Sequence, residues 1–393
     1  MSNWQTTTIG EIAQVGRGSS PRPISNSKYF ENGTIPWVKI ADATSSGKYL
    51  TETKQYVNEY GASFSRKLEK GSLILATSGT LGYVQLLGVE GCIHDGWLYL
   101  SDFKKTSPEF IYYLLKTKTD EFLNSAYGAA IQNINTTILK NLEISLPPME
   151  VQEQILSHLK TLDDLIINNK QRIKILEEIA QRLYEEWFVN FKFPRFEKVK
   201  MVDSELGKIP EGWMITDLIN ISEHVIGQSP KSKFYNTESI GLPFHQGVSD
   251  FKDRFPYETT WCTETKRVAN KGDILISVRA PVGRLNIANK KMVIGRGLHA
   301  VRSKENLQSY LFYTLERYFQ INSNLGNGAI FKAVTKSEVQ KINIIYDYSV
   351  AKMFNDVVRP IDDLIFNLSL KNDLLKETRD LLLPRLISGE IEV

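Results

Sequence analysis

Residues 151–188 read VQEQILSHLKTLDDLIINNKQRIKILEEIAQRLYEEWF. Within them Ile155, Leu159, Leu162, Ile166, Asn169, Ile173, Leu176, Ala180, Leu183 and Trp187 are separated by gaps that alternate four and three without a break, the heptad signature of a helix that docks on another helix. One seam position is polar, Asn169. The partner helix is expected in the same chain, because residues 358–386 repeat the pattern and Leu162-Asp163-Asp164-Leu165-Ile166 returns 199 residues later as Ile361-Asp362-Asp363-Leu364-Ile365. The chain is written twice.

The segments around the helices repeat as well. Trp4, Ile9, Ile12, Gly18, Ser20 and Pro21 reappear as Trp213, Leu218, Ile221, Gly227, Ser229 and Pro230, at an offset of 209. A turn and buried strand at Lys70-Gly71-Ser72-Leu73-Ile74-Leu75 match Lys271-Gly272-Asp273-Ile274-Leu275-Ile276. Phe110 to Leu123 and Tyr310 to Ile321 read as amphipathic helices, each followed by a glycine turn, a polar loop and a short strand. Leu146-Pro147-Pro148-Met149 ends the first lobe, because two prolines force an extended entry to the helix. Pro360 should kink the second helix or mark its first turn, and Pro384 should end it. These boundaries give lobes at 1–146 and 193–348 and helical segments at 147–192 and 349–393.

Composition bounds the class. A chain of 393 residues with 42% hydrophobic and 24% charged content suits two or three soluble globular domains. No apolar run reaches the roughly 20 residues needed to span a bilayer, and the start MSNWQTTTIG lacks a signal-peptide layout. A cytoplasmic protein without membrane association is expected. Cys92 and Cys262 sit at non-equivalent points of the repeat, so reduced, buried thiols are expected. The net charge of +3 divides unevenly: residues 149–188 carry five Lys/Arg against eight Asp/Glu, residues 350–393 six against eight, and the rest holds the basic excess. A basic excess confined to two lobes is compatible with a polyanion.

Three loops in each repeat carry candidate contacts. In the first, GRGSSPRP supplies Arg17, Ser19, Ser20 and Arg22, and its counterpart GQSPKSK supplies Gln228, Ser229 and Lys231. These residues are small, polar and basic, suited to phosphates or base edges, although the glycines also answer to plain turn geometry. In the second loop, ATSGTLGYV against SVRAPVGRLNI, Gly82 matches Gly283 while Ser78, Thr80 and Tyr83 face Arg279 and Arg284. A fixed scaffold with changing loop chemistry is a recognition design. The third holds Gln132, Asn133 and Asn135 against Lys332; such amides pair bidentately with adenine or cap turns. Lys39 is a further candidate in the first lobe.

Catalytic signatures are missing: the sequence has no phosphate loop, dinucleotide fingerprint, nucleophile elbow or H-E-x-x-H. The prolines at 147–148 lack the flanking Asp or Asn and the aromatic residue of a methyltransferase motif. His94, His158, His224, His245 and His299 form no ligand spacing, so neither metal nor cofactor is expected. The repeated Asp163-Asp164 and Asp362-Asp363 invite a two-metal reading. With Leu162 at d, however, they fall at e and f, beside and away from the seam, and read as a solvated or partner-facing surface.

Two diverged lobes, each followed by a long helix with the DDLI repeat, the exit LYEEWFVNF (Leu183 to Phe191) and the terminal LISGEI (Leu386 to Ile391) resemble the DNA-specificity subunit of Type I restriction-modification systems. The resemblance covers essentially the whole chain. It implies an α+β chain of two pseudo-repeated α/β target-recognition domains, joined by two long antiparallel helices in an intramolecular coiled coil. It implies also that each lobe reads half of a bipartite site in double-stranded DNA, without catalysis, and that two methyltransferase subunits and restriction motor-nuclease subunits assemble on it. A free-standing DNA-binding regulator and an enzyme with its site between two lobes are the alternatives. Pairing under the 199 offset makes facing residue numbers sum to 541, which opposes Asn169 to Asn372 as a register device. The helices then act as a ruler, and four residues inserted after Asn169 should lengthen only the unread spacer.

Overall fold

In each lobe a strand near the start pairs with the last strand, so the ends of a stretch of more than 130 residues meet beside a long helix. The structure is a computed structural model and describes residues 4–43, 46–77, 80–122, 134–324 and 334–393. In the first lobe Gln5–Thr8 runs antiparallel to Glu143–Leu146, with Gln5 opposite Leu146; in the second Met214–Asp217 runs antiparallel to Asn343–Tyr346. The main sheet of the first lobe orders Gln14–Arg17, Trp97–Ser101, Leu73–Ala76, Val84–Leu87 and Tyr49–Leu50. Its counterpart orders Ser222–Ile226, Leu298–Ser303, Ile274–Ser277 and Leu285–Ile287. Leu73–Ala76 and residues 274–276 are buried at every position, which is why both read as continuous apolar runs rather than alternating ones. A second, mixed sheet in each lobe contains a parallel pair, Trp37 opposite Cys92 and Phe244 opposite Val293.

The chain divides into two compact units, residues 1–170 with 370–393, and residues 171–369. Each contains one lobe and a stretch of both long helices, Met149–Tyr184 and Tyr348–Ile387. In the first unit Asn169 Nδ2 donates to Asn372 Oδ1 at 3.0 Å. In the second, Trp187 packs edge-on against Phe354 with ring centroids 6.0 Å apart. Asp163 also meets Arg379 in the first unit, and Arg254 bridges Glu177 and Asp362 in the second, so within each unit the two helices run antiparallel.

The helix ends belong to the lobe cores. Ile155, Leu159, Leu383, Leu386 and Ile387 join the buried cluster of the first lobe, and Ala180, Tyr184, Trp187 and Phe188 join that of the second. This is the physical content of the LYEEWF and LISGEI motifs. Cys92 and Cys262 are buried and unbridged.

Three expectations are corrected here. First, Pro384 does not end the second helix, which runs on to Ile387. A proline this near the end removes one backbone donor but leaves the last turn intact, and the stop is Gly389 in the left-handed region at φ +73°. Pro360 does not mark the first turn either, since it sits a dozen residues inside the helix Tyr348–Ile387, beside the fully buried Phe354, Val358 and Ile365. Second, the polar loops after the amphipathic helices contain short helices at Thr136–Lys140 and Lys336–Gln340, the latter opened by a capping box of Thr335 and Glu338.

The third concerns the aspartates. Asp163 is buried and receives hydrogen bonds from the Tyr113 hydroxyl and, at 2.8 Å, from Arg379 Nη1. Lys48 Nζ donates to the same Tyr113 hydroxyl at 3.2 Å. In the second unit Asp362 accepts from Arg254 Nη2 at 2.5 Å and from the Tyr313 hydroxyl at 3.0 Å, and Arg254 Nη1 reaches Tyr313 at 3.2 Å. So Asp163 and Asp362 each hold a lobe tyrosine onto the helix, Asp163 together with Arg379 of the other long helix and Asp362 together with Arg254 of its lobe. The e position is buried because a lobe lies on that side; a heptad describes only the face turned to the other helix. Asp164 and Asp363 are exposed.

Candidate nucleic-acid interface

Both lobes build the same rim from the loop after the first strand of the main sheet, a second loop at 93–97 (294–298 in the second lobe) and the loop that opens at Thr77 (Val278), and a glycine sets its tightest point. After the strand Gln14–Arg17, a Cβ on Gly18 would lie 2.1 Å from the His94 carbonyl oxygen. After Ser222–Ile226, one on Gly227 would lie 2.0 Å from the Gly295 carbonyl oxygen. Any side chain there would push the first loop off the second. The backbone contacts repeat too: Gly18 N–H donates to Trp97 O at 2.8 Å and Gly227 N–H to Leu298 O at 3.0 Å. A tyrosine hydroxyl holds the far end of each first loop, Tyr29 on Arg22 O at 2.9 Å and Tyr235 on Pro230 O at 2.8 Å. The remaining loop is tied in by Thr77 N–H on Gly96 O and by Val278 N–H on Gly297 O. The site is thus a backbone frame common to both lobes.

On this frame the side chains differ. In the first lobe Arg17, Arg22 and Thr80 are exposed, while Ser19, Ser20, Lys39 and Tyr83 are half-buried. Arg17 Nε donates to Asp95 O at 3.0 Å, Ser20 Oγ to Asp95 Oδ1 at 2.7 Å, and Arg22 pairs with the Asp95 carboxylate. Burial would raise the Asp95 carboxyl, but the Ser20 hydrogen bond and the Arg22 charge outweigh it and hold it below its ordinary value. Burial, aided by the Lys39 and Arg22 charges, lowers neighbouring His94 below its ordinary value. Lys39 Nζ lies 4.8 Å over the Trp37 ring. Tyr83 turns inward, its hydroxyl donating to Ala43 O at 3.1 Å.

In the second lobe Gln228, Lys231, Arg279 and Arg284 are exposed and Ser229 is half-buried, donating from Oγ to Gln246 Oε1 at 2.8 Å. Among the described residues no carboxylate pairs with Lys231, Arg279, Arg284 or Arg296. This rim is strongly basic, as phosphate contact requires. Asn135 is exposed, with its Oδ1 capping the helix Thr136–Lys140 by accepting from Ile138 N–H at 2.9 Å. Ser78, Gln132, Asn133 and Lys332 lie outside the described residues.

Sequence reasoning missed Asp95, Gln246 and Arg296. The signal was available, since CIHDGWLYL (92–100) aligns with VIGRGLHAV (293–301) on Gly96 and Gly297, which sets Asp95 against Arg296. Among the described residues no group of three or more His, Cys, Asp or Glu is placed to hold a metal. No helix there is long and apolar enough to cross a membrane.

A family model described as the type I restriction modification DNA specificity domain matches the chain twice, over residues 1–178 and 210–346. The chain belongs to the Type I restriction-modification DNA specificity family. Among its relatives, a putative type I restriction enzyme MjaX specificity subunit from Methanocaldococcus jannaschii is 35% identical over 299 residues, 74% of this chain and 69% of that one. The MjaIX specificity subunit of the same organism is 27% identical over all of this chain and 94% of its own length. The crystal structure of the Type-I restriction-modification S subunit from M. genitalium aligns with a TM-score of 0.55, at 17% identity, over 98% of this chain and 96% of that one. That last likeness concerns the fold. The two family matches fall on the two lobes, each carrying one glycine-locked rim.

Proposed function

We propose that this chain is the DNA-specificity subunit of a Type I restriction-modification complex, each lobe reading one half of a bipartite site in double-stranded DNA through its three-loop rim. The observation that carries the reading is the duplicated frame with exchanged side chains. Gly18 and Gly227 sit at the same close approach, yet Ser19, Arg22 and Tyr83 stand where the other lobe has Gln228, Lys231 and Arg284. A frame held constant while its side chains vary, Arg22 and Lys231 being the exposed pair and the inward-turned Tyr83 giving way to an exposed Arg284, suits reading two different sequences with one architecture. In this role the chain itself is non-catalytic and takes no cofactor. Two methyltransferase subunits and restriction motor-nuclease subunits dock on it, with the exposed Asp164 and Asp363 on the docking surface, and it acts on DNA in the cytoplasm.

The test is an exchange. Residues 1–146 are replaced by the first lobe of another specificity subunit, and the assembled complex is assayed for binding and for N6-adenine methylation on a randomised duplex library. One half of the recognised site should change and the other should stay. A change in both halves, or methyl transfer by the purified chain alone, overturns the reading.

A further inference from the structure

The two rims differ most in charge at the position held by Asp95 in the first lobe and Arg296 in the second. The same serine tethers both: Ser20 Oγ donates to Asp95 Oδ1 at 2.7 Å, and the equivalent Ser229 Oγ accepts from Arg296 N–H at 3.3 Å. The cation at the end of the first loop also changes, from Arg22 to Lys231. In the first lobe arginine and carboxylate pair with each other, whereas in the second both positions are cationic.

The Arg22–Asp95 pair sits in the open, with side chains 66% and 39% exposed. Ion pairs in such surroundings add little to stability, so holding the fold does not account for it. Its consequence is orientation. A guanidinium tied by one edge to a carboxylate keeps its other donors free and loses less rotamer freedom on meeting a second partner. The partner that fits a fixed planar fork is a coplanar pair of acceptors, and in the major groove that pair is guanine O6 and N7. The adjacent carboxylate also repels phosphate, which turns the fork from the backbone to the base edge. Lys231 has neither fork nor buttress and suits phosphate.

We propose that Arg22, positioned by Asp95, determines specificity in the first lobe by reading a guanine in its half-site, and that Lys231 and Arg296 contact the DNA backbone. The inference rests on the DNA-reading function proposed above. Its test uses the full chain assembled with its methyltransferase subunits, with half-site preferences selected from a randomised duplex library and affinities measured on the best duplex and a scrambled one. Arg22→Lys keeps the charge and loses the fork. It should lower preference for one guanine by about 5- to 150-fold, with scrambled-duplex affinity held within about twofold.

Asp95→Asn keeps a partner for Ser20 and frees the guanidinium. It should weaken the same preference while tightening scrambled binding. The double variant should be no worse than Arg22→Lys alone, because Asp95 acts through Arg22. Lys231→Gln should weaken both duplexes alike. Equal losses on both duplexes for Arg22→Lys, additive effects in the double variant, or a first half-site without guanine overturns the proposal. A wild-type complex that selects no sequence at all overturns instead the function on which it rests.

Discussion

Asn169 Nδ2 donates to Asn372 Oδ1 across 3.0 Å, and both side chains are buried, with the buried Ile166 one turn away on the same helix face. An amide pair stabilises less than two leucines would, yet any slip of the helices leaves an amide without its partner. Asn169→Leu alone should therefore cost about 1–3 kcal/mol, the penalty of stranding one buried polar group. Asn169→Leu with Asn372→Leu should regain most of that loss while admitting other registers or associations. Chemical denaturation and light scattering check both halves; a double variant as unstable as the single one removes the register role.

Asp163 and Asp164 are neighbours with opposite surroundings. Removing the Asp163 carboxylate leaves Tyr113 without its acceptor and Arg379 with Asp380 as its remaining carboxylate, which should cost about 1–3 kcal/mol. Asp164→Ala, on the exposed side, should fall within about 0.5 kcal/mol of wild type. The same contrast is expected for Asp362 and Asp363, since Asp362→Ala leaves buried Arg254 with the Tyr313 hydroxyl and, as its remaining carboxylate, Glu177 at 3.6 Å. Equal melting curves for the two members of either pair contradict this account.

That pair shows how far a sequence can be read. The heptad run and the 199-residue offset announced the paired helices and their facing residues, because periodicity records which face is covered. They did not announce the second covered face, since a single aspartate against a tyrosine and a cation leaves no period. The rim glycines were legible as positions that need glycine, but the reason at Gly18 and Gly227 is the close approach of the chain, which excludes any side chain, and not a tight turn. Asp95 and Arg296 were not singled out, because their importance lies in contacts 75 and 67 residues away in the chain. The hairpin of Met201–Ser204 and Gly207–Pro210 has no counterpart in the first lobe, so repeat logic was silent there.

The second lobe should lose stability in mild acid. Ser222 Oγ lies 2.9 Å from His224 Nε2, and His224 Nδ1 lies 2.9 Å from His299 Nε2. Burial, with Lys304 and Lys336 nearby, depresses His224 to about 4; burial, with His224 and Lys336, depresses His299 to about 3. Histidines in the unfolded chain bind protons near 6.5. From there down to the folded values the unfolded state holds more protons, so the stabilisation is complete above about 6.5 and drains away as pH falls. Between pH 7 and pH 5 the buried His299 alone should account for roughly 2 kcal/mol. Denaturant titrations of wild type and of His224→Leu with His299→Leu should show a shallower pH dependence in the variant; identical slopes would place the acid sensitivity elsewhere.

The rim glycines give the most direct link from sequence to recognition. Gly18→Ala places a methyl group 2.1 Å from the His94 carbonyl oxygen, where no rotamer relieves the clash, so the first loop must lift from the second. Forced overpacking of this kind costs about 1–3 kcal/mol. Here it falls on the loops that carry Arg17, Ser20, Arg22 and Asp95, and the first half-site should lose discrimination while the second keeps it. Gly227→Ala, 2.0 Å from the Gly295 carbonyl oxygen, should do the reverse. Gly47→Ala meets nothing within 4 Å and serves as the control. Methylation of duplexes mutated in one half-site at a time, together with melting curves, reads all three. If Gly18→Ala and Gly227→Ala leave half-site preferences at wild-type values, the rims are not where the lobes meet DNA.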